Sequence, residues 1–509
     1  MEGKAYFWFL SAFVIYTALL FVISRLTGRS SSSSSFFSGD RKAPWPVVAY
    51  GMIGSSISGV SFISVPGNVW AQNFFYMPLV LGFVVGYIVI AKVFLPLYFR
   101  KGLTSIYGYL GERFGRRSHI TGSATFMVSR LLGAAARIFV VVVVLYAFVP
   151  ASVSGTLGRF GTYTVISAAF LLLLYFYTYK GGVRTIIWTD VMQTTVMLLA
   201  IGCTIVLICR DMGWNFREMT AGVSAAVNQN EGTVGYGKPF TAWFDWDFAH
   251  ATNAVKQFIS GIFVTIAMNG LDQAMIQKSL SCKNLKAAQK NMYTASIIIV
   301  VVNLFFVLLG SLLCVYASHL GGFEQLGITK TDELFPVIAS RYLGVGVGVL
   351  FLIGLISASY PSSGAALTSL TTSFCVDFLK FTEKGSVREE RKETVRRLVE
   401  AAVALAFLVI ILILCAVSND AAVNLIYKLA SYTYGPLLGL FLYGIITDRR
   451  VDDRAVPFIA VSAPLICLAV NFILKRVSGF DLGFSILIVN ALLTMAGMHL
   501  FSRRGDKNQ

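Results

Sequence analysis

Residues 51–68 read GMIGSSISGVSFISVPGN and lie between two strongly apolar stretches, PWPVVAY before them and FFYMPLVLGF after them. They contain five serines, four glycines and one proline, an unusual composition for a segment at membrane depth. An unsatisfied backbone group in lipid costs several kcal/mol. An interrupted helix is therefore tolerated there only where protein or a water-filled cavity surrounds it.

This stretch has two physical interpretations. A discontinuous helix exposes carbonyl oxygens and hydroxyls near the bilayer midplane, where they suit a bare cation and a polar solute. Alternatively, the small residues allow two helices to pack closely without any ligand. The segment ISGIFVTIAMNGLDQAMIQ at 259–277 repeats the pattern five predicted helices later. Breaks in corresponding halves are typical of inverted repeats, so the sequence favours a secondary transporter.

The composition of the whole chain predicts an all-α integral membrane protein. Its 509 residues are 56% hydrophobic and 13% charged, and the mean hydropathy of +0.71 is outside the range of soluble domains. A spanning helix needs about 20 apolar residues, and about thirteen such spans are predicted. They lie near residues 5–24, 46–70, 74–98, 121–149, 161–178, 186–209, 251–277, 293–317, 343–377, 398–416, 421–446, 455–474 and 481–501.

The net charge of +17 is distributed in alternate loops of the chain. The loops rich in Lys and Arg are residues 99–119, 278–290, 380–397, 448–454 and 502–509. Thirteen helices with an outside N-terminus and a cytoplasmic C-terminus place all of these loops in the cytoplasm, as the positive-inside rule requires. The charge therefore indicates membrane topology and not a surface for nucleic acid.

These features predict a division of the chain into five parts. They are residues 1–45, an extra N-terminal helix and a cytoplasmic linker containing SSSSSS; 46–210, the first inverted repeat; 211–250, an extracellular or periplasmic loop; 251–446, the second repeat; and 447–509, two C-terminal helices and a basic cytoplasmic tail. The seven cysteines and four histidines form no CxxC, HExxH or nucleophile motif. Catalysis by a familiar metal or nucleophile motif therefore has no support.

Six motifs resemble those of the sodium:solute symporter family, in family order over nearly the whole chain. They are SVPGNVWAQ, FLPLYFRKGLTSIYGYLGERFG, YKGGVRTIIWTDVMQ, GLDQAMIQKSLSCKNLKAAQK, ALTSLTTSFCVDFLK and SYTYGPLLGLFLYGI. The resemblance implies the LeuT-like fold, an inverted five-plus-five helix repeat with two broken helices. It also implies alternating access driven by a sodium gradient.

The resemblance implies a sodium site with ligands on two helices. The first broken helix would supply the carbonyls of Gly54 and Ile57, and the eighth core helix the carbonyl of Ala358 and a hydroxyl on Ser362. The family places a second hydroxyl at the position of Pro361, where this chain has none. Ser363, a water molecule or a carbonyl freed by the proline would have to replace it. Otherwise sodium selectivity or coupling is lost.

Some members of the family bind a second sodium ion. The resemblance places its hydroxyls at Ser58 and Ser61 and at the positions of Gly364 and Ala365, which carry no side-chain oxygen here. One coupled sodium ion is therefore the simpler expectation. Asp190 matches an acidic position on the sodium exit path of the family, although it could equally stabilise a nearby helix N-terminus.

The expected solute is a small organic anion that carries a carboxylate. In sialic-acid-carrying relatives an arginine on the same helix as Arg137 holds the substrate carboxylate, and a guanidinium suits this group because it donates two parallel hydrogen bonds. The predicted substrate residues are Ser56, Ser58, Ser61, Val80, Arg137, Thr265, Asn269 and Lys428. Arg130 is a further candidate. Interhelical hydrogen bonding or snorkelling is the alternative role for all three cations.

The sequence thus predicts a sodium-coupled symporter in a bacterial inner membrane, with sodium as the coupling ion and no organic cofactor. The expected partners are the solute, sodium and the lipid bilayer, without nucleic acid or an obligate protein partner. Two alternatives stay open. One is a transporter with weakened or lost sodium coupling, either proton-coupled or facilitative, and the other is a transporter-like membrane sensor.

Overall fold

The computed structural model describes residues 3–27, 43–103, 105–178, 182–381, 383, 388–417, 420–478 and 482–503. The predicted Ser-rich linker lies outside these residues. The first half of the chain forms α1 (Gly3–Thr27), α2 (Trp45–Ser56), α3 (Gly59–Gln72), α4 (Met77–Val89), α5 (Leu95–Lys101), α6 (Gly108–Arg113), α7 (Arg116–Tyr146), α8 (Ala151–Thr178), α9 (Gly182–Asp211) and α10 (Phe216–Ala225). A π-helical turn, Ile90–Phe94, joins α4 to α5.

The second half repeats this order of long and broken helices. It forms α11 (Ala254–Thr265), α12 (Gln273–Leu280), α13 (Leu285–His319), α14 (Leu334–Val337), α15 (Gly344–Ser373), α16 (Glu389–Val417), α17 (Asp420–Ile446), α18 (Val456–Ser478) and α19 (Ile486–Leu500). Short π-helical turns are Ile266–Gly270, Ile338–Tyr342 and Phe374–Phe378, and 3₁₀ turns are Thr331–Glu333 and Gly483–Ser485. Two-residue strands, β1 (Arg450–Val451) and β2 (Ser502–Arg503), pair antiparallel.

Ten spans in the described residues are long and apolar enough to cross a bilayer, and two bent helix pairs raise the number to twelve. The pair α2 and α3 bends by 66°, and α11 with α12 bends by 69°. The remaining predicted span, 421–446, corresponds to α17, whose apolar part in the described side chains is Tyr432–Ile446. All of these elements are helical, as the hydropathy predicts.

Each break has a local cause in the sequence. α2 ends where Ile57 and Ser58 adopt extended backbone, and the Ser58 side chain accepts from the N–H of Ser61 to begin α3. The second break lies at Leu271 and Asp272. The Asp272 carboxylate accepts from two N–H groups in the first turn of α12 and therefore acts as its N-cap.

The centre of the molecule is α15, whose residues 354–373 are all buried. A helix that is enclosed on every side must satisfy its polar side chains internally. Ser359, Thr368 and Thr372 do so by donating to the carbonyl four residues earlier. The Ser357 hydroxyl instead donates to the Tyr16 hydroxyl at 2.8 Å, which attaches the extra helix α1 to the centre.

Glycines bring α4 and α11 into backbone contact. A Cβ atom on Gly261 would lie 2.1 Å from the carbonyl oxygen of Leu79 and 3.2 Å from the Cα of Gly82. A Cβ atom on Gly86 would lie 2.7 Å from the Cβ of Thr265. The contact between α11 and α4 is therefore a close packing of small residues. This is the second of the two interpretations given above for a glycine-rich broken helix.

The loop after α9 packs over the end of α3. Its helix α10 begins with a capping box in which Asn215 and Glu218 bond each other's backbone. Further along, the Asn228 amide donates to the Trp70 carbonyl, and the Gly235 N–H donates to the Ala71 carbonyl. These bonds occupy carbonyls at the C-terminal end of α3, which a helix end must satisfy.

Candidate functional site

The end of α2 meets α9 and α15 at the position expected for sodium. A Cβ atom on Gly54 would lie 2.5 Å from Thr194 Oγ1 and 3.3 Å from Pro361 Cγ. Because α2 stops at Ser56 and the chain turns at Ile57, the last carbonyls of α2 have no intrahelical donors. Such free carbonyls are what a discontinuous membrane helix offers to a sodium ion.

The predicted ligands on α15 are buried beside this point. Ala358 is fully buried, and the Ser362 hydroxyl donates to a carbonyl three residues earlier at 3.0 Å. That bond uses the hydroxyl proton and leaves the oxygen able to coordinate a cation. Pro361 has no N–H, so it donates no helical hydrogen bond to the carbonyl of Ser357. The donor set is therefore made of oxygens, which hard cations require.

Three further serines named for the two sodium sites, Ser58, Ser61 and Ser363, lie in different settings. Ser58 and Ser61 are neighbours at the start of α3, with 3.4 Å between their hydroxyl oxygens. Ser363 is buried within α15.

Helix α9 contributes two polar residues at this point, Asp190, which was predicted from the sequence, and Thr194, which was not. Thr194 Oγ1 is buried and has no hydrogen-bond partner among the described residues, and the same is true of Asp190 Oδ1. The two residues are one helical turn apart on α9, and Thr194 faces Gly54. An oxygen without a partner at this position is a fitting ligand for a cation. The signal in the sequence was the TT pair that follows WTDVMQ.

Asp190 forms a buried ion pair with Lys278 at the end of α12. The ammonium contacts Asp190 Oδ2 and the Ser55 hydroxyl, and that hydroxyl lies 2.9 Å from the same carboxylate oxygen. The lysine side chain is 4% exposed and the aspartate side chain 0%. Three helices, α2, α9 and α12, thus meet at one charged cluster, one residue from Gly54. Lys278 was counted only as a loop charge from the sequence.

A cavity of about 470 Å³ lies between α7, α11, α17 and α18. Arg130 and Arg137 line it from α7, with Gly133 and Ala134 between them. Because seven residues are close to two helical turns, the two arginines share one face about 10 Å apart. The small residues between them leave the volume open. Gln72, Gln257, Met268, Asn471 and Lys475 complete much of the wall.

Arg130 connects this cavity to the second helix break. Its Nη1 lies 3.3 Å from Asp272 Oδ2, and both side chains are buried. The Tyr434 hydroxyl is a second partner of the guanidinium, and two partners use fewer than its five N–H donors. A buried guanidinium with donors to spare, facing a cavity, is suited to a carboxylate. Asp272 was not singled out, although it is an acidic residue at membrane depth in GLDQ.

Six of the other predicted substrate residues lie away from the described wall of this cavity: Ser56, Ser58, Ser61, Val80, Thr265 and Asn269. The Ser56 hydroxyl lies 3.3 Å from the Tyr87 hydroxyl, and Val80 is fully buried. Thr265 packs against Gly86, and Asn269 lies in the π-helical turn after α11. The side chain of Lys428 lies outside the described residues.

Asp245 stands near the mouth of the cavity, in the loop before α11. The Thr252 hydroxyl donates to Oδ2 at 2.7 Å, and His250 Nδ1 lies 2.9 Å from the same oxygen. Burial acts to raise the pKa of Asp245, but these hydrogen bonds outweigh burial and hold the pKa below its ordinary value. Thr252 also lines the cavity, so the charged form of Asp245 fixes part of its rim.

Comparison with known proteins places this arrangement in a family. The model of the sodium:solute symporter family matches residues 36–456. The chain belongs to this family. It is 24% identical over 451 residues to the sodium/sialic acid symporter SiaT of Proteus mirabilis (strain HI4320), a match that covers 87% of this chain and 86% of that protein.

Two further comparisons cover most of this chain. The chain is 26% identical to the sodium-coupled monocarboxylate transporter 2 of Danio rerio, over 71% of this chain and 56% of that protein. The solved structure of a Na⁺-coupled sialic acid symporter, in a substrate-bound outward-open state, aligns with a TM-score of 0.80 at 19% identity. That alignment covers 98% of this chain and 99% of the solved chain.

Membership in the sodium:solute symporter family confirms several predictions from the sequence. The fold is the all-α, LeuT-like membrane fold with two broken helices. The chain is a transporter and not an enzyme, and sodium is the coupling ion of its family. The ligand assignments, the division into five parts and the solute stay predictions.

Proposed function

We propose that this protein is a sodium-coupled symporter for a small solute that carries a carboxylate. It would work by alternating access in a bacterial inner membrane, with the N-terminus outside and the C-terminus in the cytoplasm. The observation that carries the proposal is the pair of arginines on one face of α7, beside the second broken helix, in a cavity of about 470 Å³.

The charge of the cavity supports an anionic solute. Arg130, Arg137 and Lys475 line it, and the lining residues of the described chain include no Asp or Glu. A charge at membrane depth is expensive and is retained where it has a function. A carboxylate accepts two parallel bonds from a guanidinium, and the wall residues Gln257 and Asn471 can bond hydroxyl or amide groups of the solute.

The proposed sodium ligands are the carbonyls of Gly54, Ile57 and Ala358 and the hydroxyl of Ser362. We add Thr194 Oγ1 from α9 as the oxygen that replaces the hydroxyl missing at Pro361. It is buried beside Gly54 and has no other partner among the described residues. Five oxygens would then surround the ion, as a cation stripped of water requires.

A single sodium ion per cycle is the expected stoichiometry. The second site would need side-chain oxygens at Gly364 and Ala365, and neither residue has one. The nearby acid, Asp190, is already paired with the ammonium of Lys278. A bound ammonium neutralises the carboxylate that would otherwise attract another cation.

Helix α12 provides a route by which the solute and sodium sites can communicate. At its start, Asp272 pairs with Arg130 in the solute cavity. At its end, Lys278 joins Asp190 and Ser55, next to the sodium ligand Gly54. A carboxylate that binds Arg130 competes with Asp272 and so changes how α12 is held. By thermodynamic linkage, bound solute changes the affinity for sodium by the same factor as bound sodium changes the affinity for solute.

One observation favours weakened sodium coupling as a second candidate. The ring of Pro361 occupies the side of the site where the family has a hydroxyl, 3.3 Å from where a Cβ atom on Gly54 would lie. If Thr194 does not coordinate the ion, the site has one oxygen too few. Transport would then be driven by protons or by the solute gradient alone.

Uptake into proteoliposomes tests both candidates. Purified protein would be given an inward sodium or choline gradient with labelled sialic acid, a 2-oxo monocarboxylate or a neutral hexose. We expect one carboxylate to accumulate, and only with sodium. Uptake at the same rate in sodium and in choline would establish the second candidate, a transporter without sodium coupling. Uptake of the hexose would refute the carboxylate assignment.

Substitution of the cavity arginine sharpens the assignment. Arg137→Ala should weaken uptake of that carboxylate about tenfold to hundredfold, because hydrogen bonds to a charged group contribute roughly 1.5–3 kcal/mol. Arg159→Ala is the matched control, since Arg159 is an exposed arginine on α8. An unchanged affinity in Arg137→Ala would remove Arg137 from the solute site.

A further inference from the structure

A second, larger hollow of about 960 Å³ lies on the outer side of α7, between α7 and α18. Its walls are two helical stripes with spacings of three and four residues, which face each other along their length. They consist of Ile120, Thr121, Ala124, Thr125 and Val128 on α7, and Pro457, Ala460, Val461, Pro464 and Leu465 on α18. Val461 and Leu465 are 64% and 62% exposed, so the groove opens sideways from the helix bundle.

Positive charge is confined to one end of this groove. Arg116 and Arg117, in the first turn of α7, line that end and are exposed. Neither guanidinium forms an ion pair with a carboxylate in the described part of the chain. Asp453 also borders this end, but it accepts from the N–H groups of Arg117 and Ser118 and so caps α7.

The dimensions match one leaflet of a bilayer. From Arg116 to Val128 the groove follows α7 for twelve residues, which is about 18 Å at 1.5 Å per residue. The hydrocarbon core of a bilayer is about 30 Å thick, so one leaflet contributes about 15 Å. The groove therefore begins at a headgroup level, where the arginines lie, and ends near the midplane. Its volume is about twice that of the solute cavity.

We infer that this groove binds one anionic phospholipid, with its phosphate between Arg116 and Arg117 and an acyl chain along the apolar walls. The N–H groups at the start of α7 already donate to Asp453, so the two guanidinium groups alone would hold the phosphate. Basic pockets between membrane helices recognise lipid headgroups in this way. Because α7 carries Arg130 and Arg137 on another face, the lipid would steady the helix that forms the solute cavity.

The test measures lipid binding to the purified full chain in nonionic detergent. Dioleoyl phosphatidylglycerol, dioleoyl phosphatidylcholine or inorganic phosphate would be added, with thermal stability and native mass spectrometry as readouts. We expect phosphatidylglycerol alone to raise the Tm and to stay bound. Arg116→Ala with Arg117→Ala should weaken its binding about 30-fold, the equivalent of roughly 1 kcal/mol for each arginine.

Two further variants separate the parts of the site. Lys283→Ala with Lys286→Ala removes two exposed charges from the α12–α13 turn, away from the groove, and should bind the lipid as the natural protein does. Ala124→Trp fills the groove but leaves both arginines, and it should also lose the lipid. Equal stabilisation by phosphatidylcholine, equal binding by the double arginine variant, or retention by Ala124→Trp would each overturn the inference.

Discussion

The buried pair of Lys278 and Asp190 gives the sharpest test of how the second broken helix is held. In Lys278→Met the carboxylate stays buried and keeps only the Ser55 hydroxyl, since its Oδ1 already has no partner among the described residues. Removing one partner of a buried ion pair costs about 3–5 kcal/mol, because the other charge is left uncompensated. Asp190→Asn should cost a similar amount by stranding the ammonium.

The double variant, Lys278→Met with Asp190→Asn, should be much closer to the natural protein. It removes both charges and their desolvation penalty together, so its stability should lie within about 1–2 kcal/mol of the starting value. The measurement is a double-mutant cycle on reversible unfolding in mixed micelles. We expect a coupling free energy of at least about 2 kcal/mol between the two sites.

An exposed pair in the same chain is the control. Lys101 and Glu112 form an ion pair with side chains 30% and 50% exposed. Lys101→Met should cost less than about 1 kcal/mol, because water screens such pairs. The reasoning is wrong if Lys278→Met costs no more than Lys101→Met, or if the two substitutions at the buried pair are simply additive.

Three further outcomes are expected. Pro361→Ser introduces a hydroxyl beside Ser362 and should lower about tenfold the sodium concentration that gives half of the maximal rise in Tm. If the Tm depends on sodium concentration as it does in the natural protein, that position is not a ligand. Asp272→Asn keeps an N-cap for α12 but loses the charge facing Arg130. The ratio of the solute affinity in sodium to that in choline should therefore fall about fivefold or more. An unchanged ratio would exclude α12 as the coupling route. The pKa of Asp245 is lower in the folded protein than its value of 3.8 in the unfolded chain, so the charged carboxylate stabilises the fold at pH values above 3.8, and this contribution is lost as the pH falls through the folded pKa. Asp245→Asn should therefore flatten the fall of Tm below about pH 4. An identical decrease of Tm in acid for both proteins would contradict that assignment.

The positions of the two breaks could be predicted from the sequence because they have local causes. Glycine, serine and proline weaken a helix wherever they occur, and the chain turns at Ile57 and at Leu271 inside the two segments that combine small and polar residues. The long apolar spans follow from hydropathy alone. The predicted span 343–377, for example, is the observed span Gly344–Phe378.

The partners of the buried charges could not be predicted in the same way. Lys278 and Asp190 are 88 residues apart in the chain, and their contact depends on how α2, α9 and α12 cross. Arg130 and Asp272 meet for the same reason. Ser56 and Thr265 belong to the two segments of small and polar residues and were predicted to bind the solute. In the structure both contact α4, at Tyr87 and at Gly86, and so lie in a helix interface. Side-chain direction depends on that packing and is not readable from composition.

The glycine contact between α4 and α11 limits how this transporter can move. Where backbone touches backbone, as at Gly82 and Gly261, no side chain can change rotamer to let the helices slide past each other. In the proposed alternating-access cycle the two helices would therefore move together, and the bending would fall on the non-helical residues 57–58 and 271–272. The same two points contain the proposed sodium ligand Ile57 and the arginine partner Asp272. Each ligand would thus bind at a hinge, where a small change in contact energy has the largest effect on the direction in which the cavity opens.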